Sequence, residues 1–301
     1  MSQDFGGQSM VGVLERVLVK EPDEVFGHAD ASLWHYASPI NLENAKREHQ
    51  HFVGVLKDQG VRVDYHDDKL TGLADSIFVH DPVLITDAGA VMMRMGKALR
   101  EGEVGFMRKK MEELQIPILG QIEEPGLMEA GDLVWLDART LLVGRGYRTN
   151  LPGILQLREI LHKFAISVLP FDLPYFEGKA SCLHLQSLMS MVDVDLAVVY
   201  APLMPAPLME LLEKRKIHLI TISEDEFKNM GSNILAIKPR VVLTLDRCPE
   251  LKRRLEERDV QVFTYAGADL SMKAEGGATC LTRPLKRGPV RDPYGEGKIY
   301  G

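Results

Sequence analysis

Ile77-Phe78-Val79-His80-Asp81-Pro82-Val83-Leu84-Ile85-Thr86, turned at Asp87-Ala88-Gly89 and answered by Ala90-Val91-Met92-Met93-Arg94-Met95, is the stretch that decides the fold. Apolar runs on either side of an Asp-Ala-Gly turn read as a β-hairpin. A helix is expected next, over residues 101–114, and then a strand over 116–120. The same order of strand, turn, strand, helix and strand returns along the chain. A second copy uses 132–137, 140–144, 151–164 and 166–169, stopped by Pro170. A third uses 183–192, 196–200, 206–214 and 217–222, and a fourth uses 234–237, 241–245, 249–258 and 260–264. The fifth is split between the ends: 280–285 and 11–20 supply its hairpin, and helix 42–59 and strand 61–63 complete it.

Repetition at this spacing is the mark of a modular architecture, and a unit shared by the two ends closes it into a ring. The expectation is therefore α/β: five ββαβ modules around a common centre, each first strand delivering residues inward. A single doubly wound sheet also accommodates short βαβ units. Paired strands ahead of every helix favour the ring. No low-complexity linker interrupts residues 1–301, so one domain is expected, with a loose Gly-, Pro- and charge-rich tail over 287–301.

Bulk properties exclude more than they select. The 301 residues, 45% hydrophobic and 26% charged, are those of an ordinary globular protein. A net charge of −7 argues against a nucleic-acid surface. No apolar run approaches the roughly 20 residues of a bilayer span. The first residues lack the basic start and apolar stretch of a secretory signal. Cys182, Cys248 and Cys280 cannot all pair within one chain, and no CxxC spacing suggests zinc. A reducing cytoplasmic compartment is the expectation, with no membrane partner and no metal. A homo-oligomer is compatible with the sequence but not read from it.

Three polar clusters sit inside apolar surroundings. Gly276-Gly277-Ala278-Thr279-Cys280 places a thiol after a glycine pair, where backbone or substrate can approach closely. Glu129-Ala130-Gly131-Asp132 and Leu183-His184-Leu185-Gln186-Ser187 supply carboxylates and an imidazole. A thiol needs a base or a positive field to react, so a cysteine nucleophile is the working reading. Cys182 and Cys248 read as small buried hydrophobes. Asp75 and Asp81 flank an apolar run, and Arg100 and Arg148 each precede a helix. Carboxylates hold a guanidinium and arginines clamp a carboxylate, so this set suits a substrate with a cationic head and an anionic tail.

These residues resemble the guanidino-group-modifying superfamily, and most closely the dimethylarginine dimethylaminohydrolases. The resemblance runs through Arg47-Glu48-His49-Gln50-His51-Phe52-Val53-Gly54-Val55-Leu56, Ala74-Asp75-Ser76-Ile77-Phe78-Val79-His80-Asp81, Arg100 with Glu103, and Glu129-Ala130-Gly131-Asp132-Leu133. It continues in Val143-Gly144-Arg145-Gly146-Tyr147-Arg148-Thr149-Asn150, in Cys182 to Ser187 and in Gly277-Ala278-Thr279-Cys280. The resemblance implies a five-bladed α/β propeller and a guanidino amino acid as small-molecule partner, with neither metal nor organic cofactor. It implies that Cys280 attacks the guanidinium carbon and that His184 protonates the leaving amine and then activates water. Glu129 would orient the histidine, and Asp132 belongs to the substrate-binding set. Asp75 and Asp81 would bind the guanidinium, while Arg100 and Arg148 would grip the α-carboxylate. Two departures stand out. Ala130 replaces the first glycine of the family's acidic-Gly-Gly-Asp motif. Gln186 stands where arginine deiminases and amidinotransferases carry an aspartate, which leaves room for an alkylated nitrogen. Arginine deiminases also carry a helical insertion for which no segment is found here. The implied activity is hydrolysis of N-methylated arginine to citrulline and a methylamine. The alternatives are deiminase or dihydrolase chemistry on arginine or another guanidino compound and, less favoured, an amidinotransferase or an inactive binding homologue. Residues 26–33 are expected to form a lid.

Overall fold

A computed structural model describes residues 3–179 and 181–290. Its fifteen strands form five separate three-stranded sheets. Residues Val83–Thr86 and Gly89–Met92 pair antiparallel around the Asp87-Ala88 turn, with Thr86 opposite Gly89. After the helix Glu103–Glu113 the chain returns parallel to the second strand as Ile118–Gln121. That is the second blade. The third is Leu133–Asp137, Thr140–Arg145 and Ser167–Asp172. The fourth is Met189–Asp193, Leu196–Val199 and His218–Thr221, and the fifth is Leu235–Lys238, Val241–Leu245 and Gln261–Tyr265. Each repeats the antiparallel-then-parallel order around one crossover helix.

The first blade is the split one. Leu14–Val19 pairs antiparallel with Arg283–Arg287 from the other end of the chain and parallel with Arg62–Tyr65, reached through helix Leu42–Asp58. Asn41 starts that helix by accepting the Asn44 amide, and Asn150 starts Leu151–His162 by accepting the Gly153 amide. The fold is a five-bladed α/β propeller built from ββαβ modules.

Strand alternation explains how the ring is cemented. Successive side chains on a strand point to opposite faces, so a strand buried on both faces serves two cores. Val83 and Ile85 pack with Leu18 and Leu285 of the first blade, whereas Leu84 between them packs with Leu133 and Trp135 of the third. Val134 turns the other way, into a core with Met189 and Val198 of the fourth blade and Ala236 and Val242 of the fifth. Leu235 and Leu243 then meet Leu14, Val17 and Val19 of the first blade. The hydrophobic contacts thus pass from blade to blade and return to their start.

Four expected boundaries move. Residues 183–188 are not strand: Leu185–Leu188 is a single helical turn, and the strand begins at Met189. Residues 77–82 and 280–282 are likewise turns that precede their strands. Arg287, expected to open a loose tail, is the last residue of the closing strand and is buried. Residues 291–301 of that expected tail lie outside the described residues. The segment expected as a lid folds as two short helices, Glu24–Gly27 and Ala31–Trp34, capped by Asp23 and Asp30. No described helix is long and apolar enough to cross a membrane.

If closure by the first blade holds the ring together, Leu18→Ala should lower unfolding free energy by about 2–5 kcal/mol, because Leu18 is fully buried between blades. Leu155→Ala, on an exposed helix face, should stay within about 0.5 kcal/mol. Urea unfolding distinguishes the two, and equal losses would contradict the closure argument.

Candidate active site

The turns that precede the first strands of four blades bring Asp81, Asp132, His184 and Cys280 to the hub. Glu129 is fully buried and lies at the centre of the network. Its segment is tied on both sides: Met128 donates to the Arg94 carbonyl at 2.7 Å and Ala130 to the Asp81 carbonyl at 3.0 Å. One Glu129 oxygen, Oε2, sits 2.8 Å from His184 Nε2. The other, Oε1, accepts the backbone amides of Gly96 and Lys97, each at 2.9 Å. Arg148 Nη1 lies 3.5 Å from the carboxylate. Burial alone would raise the Glu129 pKa. The hydrogen bond to His184 and the charges of His184 and Arg148 outweigh it and hold the carboxyl well below its usual range. Burial correspondingly works against a charged His184, and the thiol and carboxylates around it push its pKa well above the ordinary value.

His184 is held by its own turn. Ser187 Oγ accepts the His184 amide at 3.2 Å, and Asp132 Oδ1 accepts the next amide, Leu185, at 3.0 Å. Asp132 is fully buried, and burial pushes its pKa up to about 6. Gly131 lies directly beneath the imidazole, where a Cβ would stand 2.3 Å from His184 Nδ1. Only glycine allows that approach.

Cys280 sits across this network. Asn233 Nδ2 donates to its sulfur at 3.4 Å, while Asn233 Oδ1 accepts both the Thr279 amide, at 3.0 Å, and the Thr279 hydroxyl, at 2.8 Å. Gly277 makes room for that amide, since a Cβ there would lie 2.5 Å from Asn233 Cγ. The glycine pair thus serves the protein's own packing. Burial pushes the Cys280 thiol up, and Asp81 adds to the rise, whereas the Asn233 hydrogen bond and His184 lower it. Cys182, read from the sequence as a small buried hydrophobe near His184, is only partly buried. Its sulfur lies 3.5 Å from His184 Nδ1. Cys248 fits the expectation, buried with its pKa pushed up to about 11 by burial.

The remaining charges divide differently from the sequence expectation. Arg100, expected to grip a substrate carboxylate, has its donors engaged inside the fold. Its fork grips Glu103 through Nε at 2.9 Å and Nη2 at 2.8 Å, Nη1 donates to Asp81 at 2.5 Å, and Nη2 also reaches the Phe78 carbonyl at 2.9 Å. A fully buried guanidinium must satisfy its donors within the fold, and these acids do so. Asp81 divides its oxygens between Arg100 and the Gly131 amide, at 3.1 Å. Arg100 is therefore a positioning residue, holding Asp81, which in turn holds the Gly131 amide and accepts the Ala130 amide through its carbonyl. Arg148, in contrast, lines an open cleft of about 470 Å³ with His35, Lys97, Tyr147 and Lys179.

Asp75 accepts the Tyr36 hydroxyl at 2.9 Å and Lys97 Nζ at 2.6 Å. Lys97 was missed in the sequence. The only available signal was a lysine three residues before Arg100 in a loop closing a strand. Gln186 does not line the cleft. Its amide donates to the Ala130 and Leu133 carbonyls at 3.3 and 2.8 Å and meets His80 Nε2 at 2.9 Å. An aspartate there would face two carbonyl oxygens. Asp81, Glu129 and His184 each offer a ligating atom within 4.8 Å of the others. In the described arrangement the oxygens of Asp81 and Glu129 accept from Arg100, His184 and backbone amides, which suits acid–base work at one imidazole.

A hub with a thiol, a carboxylate-bound imidazole and buried acids on a five-bladed α/β propeller defines a guanidino-group hydrolase. Residues 28–287 match the family described as N,N dimethylarginine dimethylhydrolase, eukaryotic. The chain belongs to that family of amidine hydrolases. It is 24% identical over 280 residues to the uncharacterized protein YkgA of Bacillus subtilis, covering 92% of this chain and 93% of that one. It is 27% identical over 210 residues to the N(G),N(G)-dimethylarginine dimethylaminohydrolase of Pseudomonas aeruginosa, covering 69% and 76%. The fold superposes with a TM-score of 0.79 on the product-bound N-terminal domain of ArgZ, a cyanobacterial arginine dihydrolase, covering 90% of this chain and 97% of that domain. At 20% identity the last likeness is one of fold.

Gly131→Ala tests the close approach beneath His184. A displaced imidazole should lower turnover by about 100-fold, the usual cost of misplacing a catalytic group by an ångström. The unfolding midpoint should change little if His184 can swing aside. Wild-type turnover with an unshifted His184 ring resonance would show that the contact is not needed.

Proposed function

We propose that this protein hydrolyses N-methylated L-arginine to L-citrulline and methylamine or dimethylamine through a covalent intermediate on Cys280. The observation that carries the reading is the 2.8 Å contact of Glu129 with His184 at the hub that also holds Cys280. The guanidinium enters beside Asp81 and Asp75, and Arg148 at the cleft base takes the carboxylate end. As the guanidinium arrives the Cys280 thiol gives its proton to solvent, His184 being already protonated, and the thiolate adds to the guanidinium carbon. His184 gives its proton to the departing amine as the C–N bond breaks, leaving an S-alkylthiouronium. Water then adds to the same carbon while His184 takes a proton back, and the sulfur leaves as thiolate. Glu129 stabilises the imidazolium present at the start of each cycle.

The raised thiol pKa fits this order. A thiol held up by burial and by Asp81 stays protonated at neutral pH until a cation arrives, and a guanidinium beside the sulfur then favours the thiolate. Membership of the dimethylarginine family supports the methylated substrate over arginine. A reducing cytoplasmic setting suits three unpaired cysteines.

Product analysis across monomethylarginine, dimethylarginine and arginine decides the substrate. Release of methylamine or dimethylamine is expected, and ammonia from arginine alone would give the deiminase or dihydrolase reading instead. Cys280→Ser should reduce turnover by roughly a thousandfold or more. At pH 7, cationic chloroacetamidine should alkylate Cys280 about tenfold faster or better than its neutral chloroacetamide analogue, the equivalent of at least one pKa unit. Asp81→Asn should remove most of that preference. Equal rates for the two reagents in the wild type would eliminate substrate-assisted ionisation.

A further inference from the structure

Beneath the site, on the side of the hub reached by residues 7–10, lies a second cavity of about 30 Å³. Its wall includes Ser9, His80, Gln186, Arg283 and Arg287. Arg283 and Arg287 are four residues apart on the closing strand, and both line this cavity. Both are buried, at 5% and 8% exposure. Arg283 Nε and Nη2 have no hydrogen-bond partner among the described residues. Arg287 donates to the Gly12 carbonyl at 2.7 Å, and among the described residues neither arginine meets a carboxylate in an ion pair. Asp81 is the acid whose charge Arg283 feels, but no hydrogen bond or ion pair joins the two among the described residues. Buried charges are normally paired, because an unpaired one carries a heavy desolvation cost.

The rest of the wall cannot provide the missing charge. His80 is buried and neutral, its pKa pushed down to about 3, with Nδ1 on the Thr282 carbonyl and Nε2 on Gln186. Ser9 Oγ already accepts the Val11 and Gly12 amides, so its proton is left to donate. Two guanidiniums and a hydroxyl thus line the cavity as donors.

We propose that this cavity is an anion site in which Arg283 and Arg287 hold one small monovalent anion of halide or nitrate size. The volume exceeds the 10–15 Å³ or so that one water needs. A halide with a single water fits, and that water would donate to the otherwise unpaired Gln186 Oε1. Because both arginines belong to the closing strand, the anion stabilises the join between the ends of the chain. It binds the folded state only, so stability must rise with its concentration.

Thermal unfolding in chloride is compared with unfolding in gluconate, an anion too large for the cavity, at equal ionic strength. The midpoint should rise by about 2–4 °C for each tenfold of chloride above its dissociation constant. Arg283→Met should remove that dependence while the response to ionic strength in gluconate persists. Crystals of the wild type grown with bromide should show anomalous density between the two guanidiniums, which keeps the test open if the variant fails to fold. The proposal falls if chloride and gluconate give the same midpoints, if Arg283→Met keeps the chloride response, or if the cavity holds water alone in bromide.

Discussion

A carboxylate pressed against an imidazole in a space closed to water sets the conditions for the whole hub. Neither Glu129 nor His184 can be buried ionised unless its remaining lone pairs and protons are met, and the fold meets them from different modules. Two backbone amides come from the loop after the second blade's hairpin. The turn that aims the imidazole is pinned by Asp132, ahead of the third blade's first strand. Asn233, ahead of the fifth blade's first strand, holds the sulfur opposite. No single ββαβ unit could assemble such a site. The ring is the means by which short, local modules supply donors and acceptors to one point.

The modules were legible because strand and helix periodicities are strong signals over these lengths, and the split fifth unit followed from counting them. The approach to the hub was not legible. Ile77-Phe78-Val79, Leu183-His184-Leu185 and Cys280-Leu281 are apolar enough to read as the first residues of strands. A short apolar run does not distinguish a strand from a buried turn. What decides between them is who accepts the amides. At 184–188 the acceptors are Ser187 within the turn and Asp132 from another module, and the latter partnership is invisible before the chain has folded.

The same limit explains the charges. Sequence supplies an inventory of ionisable groups without their partners. His184, Glu129 and Asp132 were picked out with Cys280, and they stand together. Arg100 and Arg148 looked equivalent, each a cation before a helix. One is spent on Glu103 and Asp81 inside the protein, and the other borders the open cleft. Gln186 looked like a specificity feature and is a structural donor to two carbonyls. Arg283 lay inside an expected strand and Arg287 at the start of an expected loose tail, and neither drew notice, although both are buried with no ion pair to a carboxylate among the described residues.

Lys97 shows how such balance bears on binding. Its ammonium lies 2.6 Å from Asp75, 3.0 Å from the Trp34 carbonyl and 5.0 Å from the centre of the Trp34 ring. A guanidinium that reaches Asp75 therefore meets a carboxylate already neutralised, and its gain there is the difference between two cations rather than the worth of one. The carbonyl and the aromatic face keep Lys97 supported if it yields Asp75, so the exchange leaves no ammonium stranded. At Asp81 the situation is the reverse. Arg100 is locked by Glu103 and cannot move aside, and a substrate cation there adds to a pair instead of replacing a partner. On the proposed reading, discrimination among guanidino compounds at this hub would rest on that contrast: one acid whose cation can be exchanged, and one whose cation cannot.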